Sequence, residues 1–386
     1  MSSSRPEIEL SAMGAVRPPM ANVLAAATQR EQQGFNAIWW ADHLLHWFPS
    51  SIWSPELVPQ AAKQATPHVW FDPFPIIAAA AGATRRVKLG VGVTDVVRRH
   101  PVQLAQTALT LDHVTDGRFI LGVGTGESLN ITPIGLTNDH PVRRLEEALT
   151  VVRRLFDSAV PVSFDGEFFM LRDMSLGVRP VAGSPPPIWL AAHRPQGLAL
   201  AGATANGWMP IATDPADYAR MHAQVVAAAQ AAGRAADAVT PALYARIVVT
   251  DTAEAAARAI EDSLLLRFIA LTRPAEAYIR HGGDHPLGAG AFGLTSLLPT
   301  DYGRTRALEL ARAVPQQVVR ETVIHGTPAD IARQIEAFIA VGVRHVQVTN
   351  MTPLVDPRLG PDSEGLLSEV VQTIRSGPVG NPSSGR

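Results

Sequence analysis

Apolar and polar positions along this chain follow two alternating rhythms. Short apolar runs rich in branched and aromatic residues recur at 7–12, 37–41, 87–93, 118–121, 188–192, 207–212, 243–249 and 344–349. Runs of that length and character predict buried parallel strands. Helical patterns lie between them. Leu145, Ala148, Leu149, Val152 and Phe156 share one face, with Arg and Glu opposite. Ile331, Ile335, Phe338 and Ile339 do the same; Thr327 is the expected N-cap, Pro328 the first helical residue and Gly342 the stop.

Eight strand–helix alternations predict a (β/α)8 TIM barrel with the strands as its core. A barrel needs only about 250 residues, and the chain has 386. The surplus is expected as insertions at 43–81, 125–187 and 264–323, after strands 2, 4 and 7. The middle one holds a hairpin pattern, Val162 to Leu171, with a turn signal at Asp165-Gly166. All three leave from strand C-terminal ends, the face on which barrels carry their chemistry. The expected division is one domain over 1–375 and a disordered tail over 376–386, rich in Gly, Pro, Ser and Asn.

Composition narrows the chemistry. Net charge is -2 and no basic stripe occurs, which argues against nucleic acid as a partner. There is no cysteine, which excludes thiolate catalysis, disulfides and iron–sulfur clusters, and suits a cytoplasmic protein. No secretory h-region is seen at the N-terminus, and the apolar run 76–83 is too short to cross a bilayer.

The run Phe119-Ile-Leu-Gly122-Val-Gly124-Thr125-Gly126-Glu127-Ser-Leu-Asn130 carries the strongest chemical signal. Alternating glycines at a strand end let backbone approach a ligand closely. A dinucleotide fingerprint needs a third glycine that opens a helix; Glu127 fills that slot, and Pro133 and Gly135 follow, so no helix start is expected there. A planar cofactor lying on a glycine-lined strand end fits better. Strand three repeats the theme with Gly92 before Val93.

Strand two ends in Asp42-His43, with His46 and Trp47 beyond. A histidine titrates near neutrality and can exchange a proton with a substrate oxygen. Asp42 as a helix cap and His43 as a satisfied core histidine are the structural alternatives. His43 and His46 as metal ligands lack a third partner in a matching motif, so no metal is expected. After strand five, Ala191-Ala192-His193-Arg194 could hold a phosphate or carboxylate tail through backbone N–H groups and the guanidinium, or Arg194 could be a surface residue.

Taken together, these motifs resemble the luciferase-like superfamily, barrels that use FMN or the deazaflavin coenzyme F420. The resemblance spans nearly the whole chain. It rests on Trp40-Ala-Asp42-His43, Leu89-Gly-Val-Gly92, Thr115-Asp-Gly117-Arg118 running on to Glu127, Phe164-Asp-Gly166 and Gly326-Thr-Pro328. Asp42, His43 and Trp47, with the run from Gly122 to Asn130, resemble the F420-dependent branch. Gly90-Val-x-Val-Thr94-Asp95, Arg98-Arg99, Ala191-Ala-His193 and Asp284-His285-Pro286-x-Gly288 resemble its phthiodiolone dimycocerosate ketoreductases.

The resemblance implies hydride transfer between reduced deazaflavin and a carbonyl or alcohol. It implies that His43 exchanges the proton, aided by Asp42, that Trp47 flanks the reacting group, and that Glu127 sits by the pyrimidine side of the ring. It implies a non-proline cis peptide at Gly92–Val93 under the ring, with Gly124, Thr125 and Asn130 nearby and the tail at Ala191–Arg194. The branch's sugar-phosphate lysines are missing, since no lysine lies beyond Lys88; a phosphorylated sugar is not expected. Trp47, Trp70, Tyr278 and His285 are the expected substrate pocket. The large apolar residues of the insertions, Trp47, Phe48, Trp53, Trp70, Phe71, Phe74, Tyr278 and Phe292, suggest an apolar or lipid-like ketone, a homodimer interface, or both. The competing functions are an FMN-dependent monooxygenase and a non-catalytic flavin-binding protein.

Overall fold

A computed structural model of the chain describes residues 6–181 and 183–377. Eleven strands occur among them: β1 Glu9–Met13, β2 Ala37–Trp40, β3 Lys88–Asp95, β4 Phe119–Gly124, β5 Val162–Asp165, β6 Met170–Met174, β7 Ile188–Leu190, β8 Gly207–Trp208, β9 Thr240–Val249, β10 Ile324–Gly326 and β11 His345–Asn350. Eight of them run in parallel around a closed ring, β1-β2-β3-β4-β7-β8-β9-β11, and β11 returns to β1. Helices cover the outside. This is the (β/α)8 TIM barrel that the pattern predicts. The expected hairpin is the antiparallel pair β5–β6.

β10 was not anticipated. Three residues are too few to show a period. It lies against Val249, Val248 and Ile247 of β9, on the edge opposite β11, and leads into the capped helix Pro328–Ala340. Thr327 and Asp330 close a capping box there, each side chain accepting the other's backbone N–H. β7 and β8 are shorter than expected: after them residues 191–194, Met209 and Ile211 line a cavity, and Ile211 alone keeps a bridge to Tyr244 of β9. The Gly92–Val93 peptide is cis, and the β3–β4 register shifts between Val91 and Thr94. The last helix, Gly360–Ser376, includes Ser376, which was assigned to a tail; residues 378–386 lie outside the described residues.

The barrel interior is plugged near its N-terminal end. Trp39 and Trp189 meet at 5.1 Å, and the His345 ring sits edge-on to both. Trp39 Nε1–H donates to Ser11 Oγ (3.1 Å), and Ser11 is 2.7 Å from His345 Nε2. His345 Nδ1 lies 3.0 Å from Glu9 Oε2. Gly90 makes room for this plug: a Cβ there would meet the Trp39 ring at 2.5 Å.

The insertions carry a second core. Phe48, Ile52 and Val58 from the first pack with Leu265, Phe268, Leu271 and Tyr278 from the third. Most of the apolar residues read as pocket wall or dimer surface are therefore consumed inside one chain. Phe48 is fully buried and Phe74 belongs to the main core. Burying them removes apolar area from water at about 25 cal/mol per Å².

Candidate active site

The C-terminal ends of β2, β3, β4, β7 and β9 surround a cavity of about 330 Å³, a size suited to a small-molecule site. Glycine backbone from Gly92, Gly124 and Gly126 forms part of its lining. Of these only Gly126 needs a left-handed conformation, at φ +87. Gly122, deeper in β4, is fixed by space instead, since a Cβ would lie 2.1 Å from the Val91 carbonyl oxygen. Val93, Thr125, Glu127 and Asn130 face the same cavity, as do Ala191, Ala192, His193 and Arg194.

His43 stands in the wall between two indoles, 5.0 Å from Trp47 and 4.9 Å from Trp70. The residues after Glu127 do form one helical turn, Ser128–Ile131, contrary to expectation. That turn aims Asn130 at His43. Asn130 Oδ1 accepts the backbone N–H groups of Leu44 (2.8 Å) and Leu45 (3.1 Å). Its orientation is thereby set, and Nδ2–H donates to His43 Nδ1 at 3.0 Å. An imidazole that accepts at Nδ1 carries its proton on Nε2. Burial drives the His43 pKa below its ordinary value, and the nearby Glu127 carboxylate opposes that. Glu127 Oε2 is 3.8 Å from His43 Nδ1.

Asp42 does not orient His43. Its carboxylate takes hydrogen bonds from Thr94 (2.6 Å) and from Arg99 (2.8 and 3.2 Å), and Arg98 approaches at 3.3 Å. Burial pushes its pKa up, but Arg99, Arg98 and Thr94 outweigh that and hold it below the usual carboxylate range. Arg98 also donates to the Asp42 carbonyl (2.8 Å) and to Asp95 (2.5 Å). Asp42 thus locks the ends of β2 and β3 together, and only its charge reaches His43.

Tyr278 and His285 do not line the cavity. Their rings meet at 4.4 Å, tilted by 56°, inside the insertion, and Tyr278 Oη donates to the Ala270 carbonyl. His46 is a packing residue: its Nδ1 accepts the Phe48 N–H and its ring stacks on Trp70. His193 is buried, which holds its pKa down at about 4, and its Nε2 accepts the Ile211 N–H at 3.0 Å.

Reading the sequence missed Arg98, Arg99, Thr94, Tyr244 and Arg246 as parts of this end of the barrel. Arg246 could have been found. It is the lone charge in the apolar run Leu243-Tyr-Ala-Arg246-Ile-Val-Val. Three cavity-lining residues each hold a buried polar atom that makes no hydrogen bond among the described residues: the Trp47 and Trp70 indole nitrogens and Glu127 Oε2. Native proteins leave few such atoms unpaired, so a polar ligand belongs here. Two donors and one acceptor over glycine backbone fit a flat heterocycle with a carbonyl or hydroxyl compound beside it.

The family model described as luciferase-like monooxygenase matches residues 2–345. The chain belongs to the luciferase-like family. Within it, the phthiodiolone/phenolphthiodiolone dimycocerosates ketoreductase of Mycobacterium tuberculosis is 36% identical over 346 residues, 88% of this chain and 89% of that one. Two solved structures share the luciferase-like fold. The coenzyme F420 dependent tetrahydromethanopterin reductase of Methanopyrus kandleri superposes with TM-score 0.72 at 22% identity, over 95% of this chain and 98% of that one. An F420-dependent secondary alcohol dehydrogenase, in complex with an F420-acetone adduct, gives TM-score 0.73 at 20% identity, over 95% and 99%. No helix among the described residues is long and apolar enough to cross a membrane.

Proposed function

We propose that the protein is an F420-dependent oxidoreductase that interconverts a ketone and an alcohol, working chiefly as a reductase on a substrate with an apolar body. The observation that carries this reading is the environment of His43. Its Nδ1 is engaged by Asn130 with Glu127 close by, while Nε2 has no protein partner among the described residues and the ring borders the glycine-lined cavity. Gly92, Val93, Gly124, Thr125 and Glu127 would hold the flat ring system, and Ala191–Arg194 its tail. When bound, the coenzyme supplies the hydride.

The chain's own work is placement and proton traffic. His43 Nε2–H donates a hydrogen bond to the carbonyl oxygen and so fixes the substrate. The carbonyl carbon gains the hydride, the π pair moves onto oxygen, and that oxygen takes the Nε2 proton. The ring stays neutral only if Nδ1 gains a proton as Nε2 loses one. Glu127, 3.8 Å away and partly exposed, is the carboxyl group among the described residues placed to relay it, taking up one proton from solvent for each proton it gives to Nδ1. Trp47 and Trp70 hold the imidazole plane and keep water from the reacting carbon. Alcohol oxidation runs the same path backwards.

The chain is read as one barrel domain acting in the cytoplasm. A homodimer remains part of this reading, with an interface formed by insertion surface outside the core that Phe48 and Phe268 share. The test of function is cofactor binding: titrate the purified protein with F420 and with FMN. Micromolar or tighter binding of F420, with weaker FMN, is expected. The second reading, an FMN-dependent monooxygenase, is favoured by the matched family's description. FMN binding with NADPH-linked oxygen uptake would establish it instead.

A further inference from the structure

A second cavity of about 470 Å³ adjoins the first, and Arg246 and His193 line both. Five arginines line this second cavity. Four are paired with carboxylates. Arg194 meets Glu276 at 3.3 Å, Arg273 meets Glu321 at 3.7 Å, Arg280 meets Asp217 and Glu321 at 3.6 Å, and Arg220 bonds Asp217. Arg246 is different. It is only 6% exposed, and no carboxylate and no hydrogen-bond acceptor engages it among the described residues. Its contacts are aromatic: the guanidinium carbon lies 5.6 Å from the Trp47 ring and 5.7 Å from the Tyr244 ring.

Rings can cover the faces of a guanidinium, but they leave its N–H edge without an acceptor. The Arg246 nitrogens are not sealed within protein; they open on the cavity with no carboxylate beside them, so an anionic ligand there would find a guanidinium free to pair. No carboxylate along either cavity pairs with Arg246 among the described residues. Asp42 and Asp95 are held by Arg98 and Arg99, Asp214 caps the helix Pro215–Ala231, and Glu127, one of whose oxygens makes no hydrogen bond, lies 3.8 Å from His43. A ligand is left to supply the counter-charge.

We infer that Arg246 is an anion-recognition residue that binds a carboxylate on the substrate, so that the substrate is an oxo acid or the matching hydroxy acid. This rests on the oxidoreductase reading above. Arg246 and His43 both contact the Trp47 indole, which puts the anion on the side where the reacting oxygen meets the histidine. The planar N–H fork matches a carboxylate in a bidentate pair. The second cavity gives the rest of the molecule an outlet past Arg246.

The test uses levulinate and its neutral methyl ester on wild type, Arg246→Met and Arg246→Lys. In calorimetric titrations of the protein without coenzyme, wild type binds levulinate about tenfold or more tighter than the ester. Arg246→Met removes that preference and Arg246→Lys keeps part of it. Without ligand, Arg246→Met melts no lower than wild type, because no ion pair or hydrogen bond within the protein is lost. With F420 bound, the ratio of kcat/KM for levulinate over the ester drops about thirtyfold or more in Arg246→Met. Equal binding of acid and ester by wild type, or a lower melting temperature in Arg246→Met, overturns the inference. So does an F420 affinity that collapses in Arg246→Met while the acid-to-ester ratio holds, since Arg246 would then grip the coenzyme. Failure of wild type to bind F420 refutes the oxidoreductase reading alone, because the acid-to-ester comparison without coenzyme still decides the role of Arg246.

Discussion

The two ends of the barrel are built from the same side-chain types and put them to opposite uses. At the N-terminal end, His345 lies against Trp39 and Trp189 with a glutamate beside it, and both ring nitrogens have partners, Ser11 and Glu9. At the C-terminal end, His43 lies against Trp47 and Trp70 with a glutamate beside it, and only Nδ1 has a hydrogen-bond partner. Burial lowers the pKa of both rings. Burial, aromatic packing and a nearby acid therefore do not mark a working histidine. An unfilled nitrogen bordering a cavity does.

The largest effect expected from this contrast is on turnover. His43→Ala should cut kcat/KM by about 10²–10⁴-fold, with F420 affinity measured by titration nearly intact. His345→Ala should instead cost about 3 kcal/mol of stability in denaturant melts through the void it leaves, with specific activity retained by the folded fraction. Loss of activity in folded His345→Ala, or full activity in His43→Ala, would erase the distinction.

Next comes Asp42→Asn. It removes the charge shared by Arg98 and the half-buried Arg99, which keep Asp95 and Asp72 as partners, so unfolding free energy should fall by about 2 kcal/mol. If Asp42 served His43 directly, the loss would appear in kcat with the melting curve unmoved.

Asn130→Leu removes the donor that favours an unprotonated Nδ1. That bond holds the ring in the neutral Nε2–H form, which gives way to the doubly protonated ring as pH falls through the His43 ionisation. Burial places that ionisation below its ordinary value in the wild type. The break in the kcat profile at that ionisation should move to higher pH in Asn130→Leu, with kcat reduced about tenfold. An unshifted profile would show that Asn130 only supports the loop.

The smallest effect concerns the plug. A hydrogen bond from His345 draws the Glu9 pKa down to about 2 from 4.5, despite partial burial. A carboxylate depressed in the folded state stabilises above its unfolded pKa, and that contribution is lost as pH falls from about 4.5 towards 2. Glu9→Gln should melt less steeply with acid over that window than wild type does. Identical acid profiles would mean that the Glu9–His345 pair carries no coupling.

Much of the mouth was legible because strand ends in a barrel are sequence-local. Glu127, Gly124 and Thr125 sit where the glycine run places them, and Asp42 and His43 border the cavity they were expected to border. Tyr278 and His285 were misplaced because an apolar stretch in an insertion reads alike whether it walls a pocket or fills a core. Phe48 and Phe268 meet at 5.2 Å across more than two hundred residues of chain, and no local pattern encodes such a contact. Asn130 lines the cavity as expected, and the sequence could not show that its amide also bonds Leu44, Leu45 and His43.

The sequence by itself determined the eight-strand alternation, the insertion points and the residue types at each strand end, because periodicity and turn chemistry act over a few neighbouring residues. Only the tertiary structure decided which polar atoms are satisfied. It gave Asp42 to two arginines, closed both nitrogens of His345, left one of His43 open and left Arg246 without a counter-charge. Hydrogen bonding and charge pairing depend on atoms that meet across the fold, so partnership is a property of three-dimensional proximity.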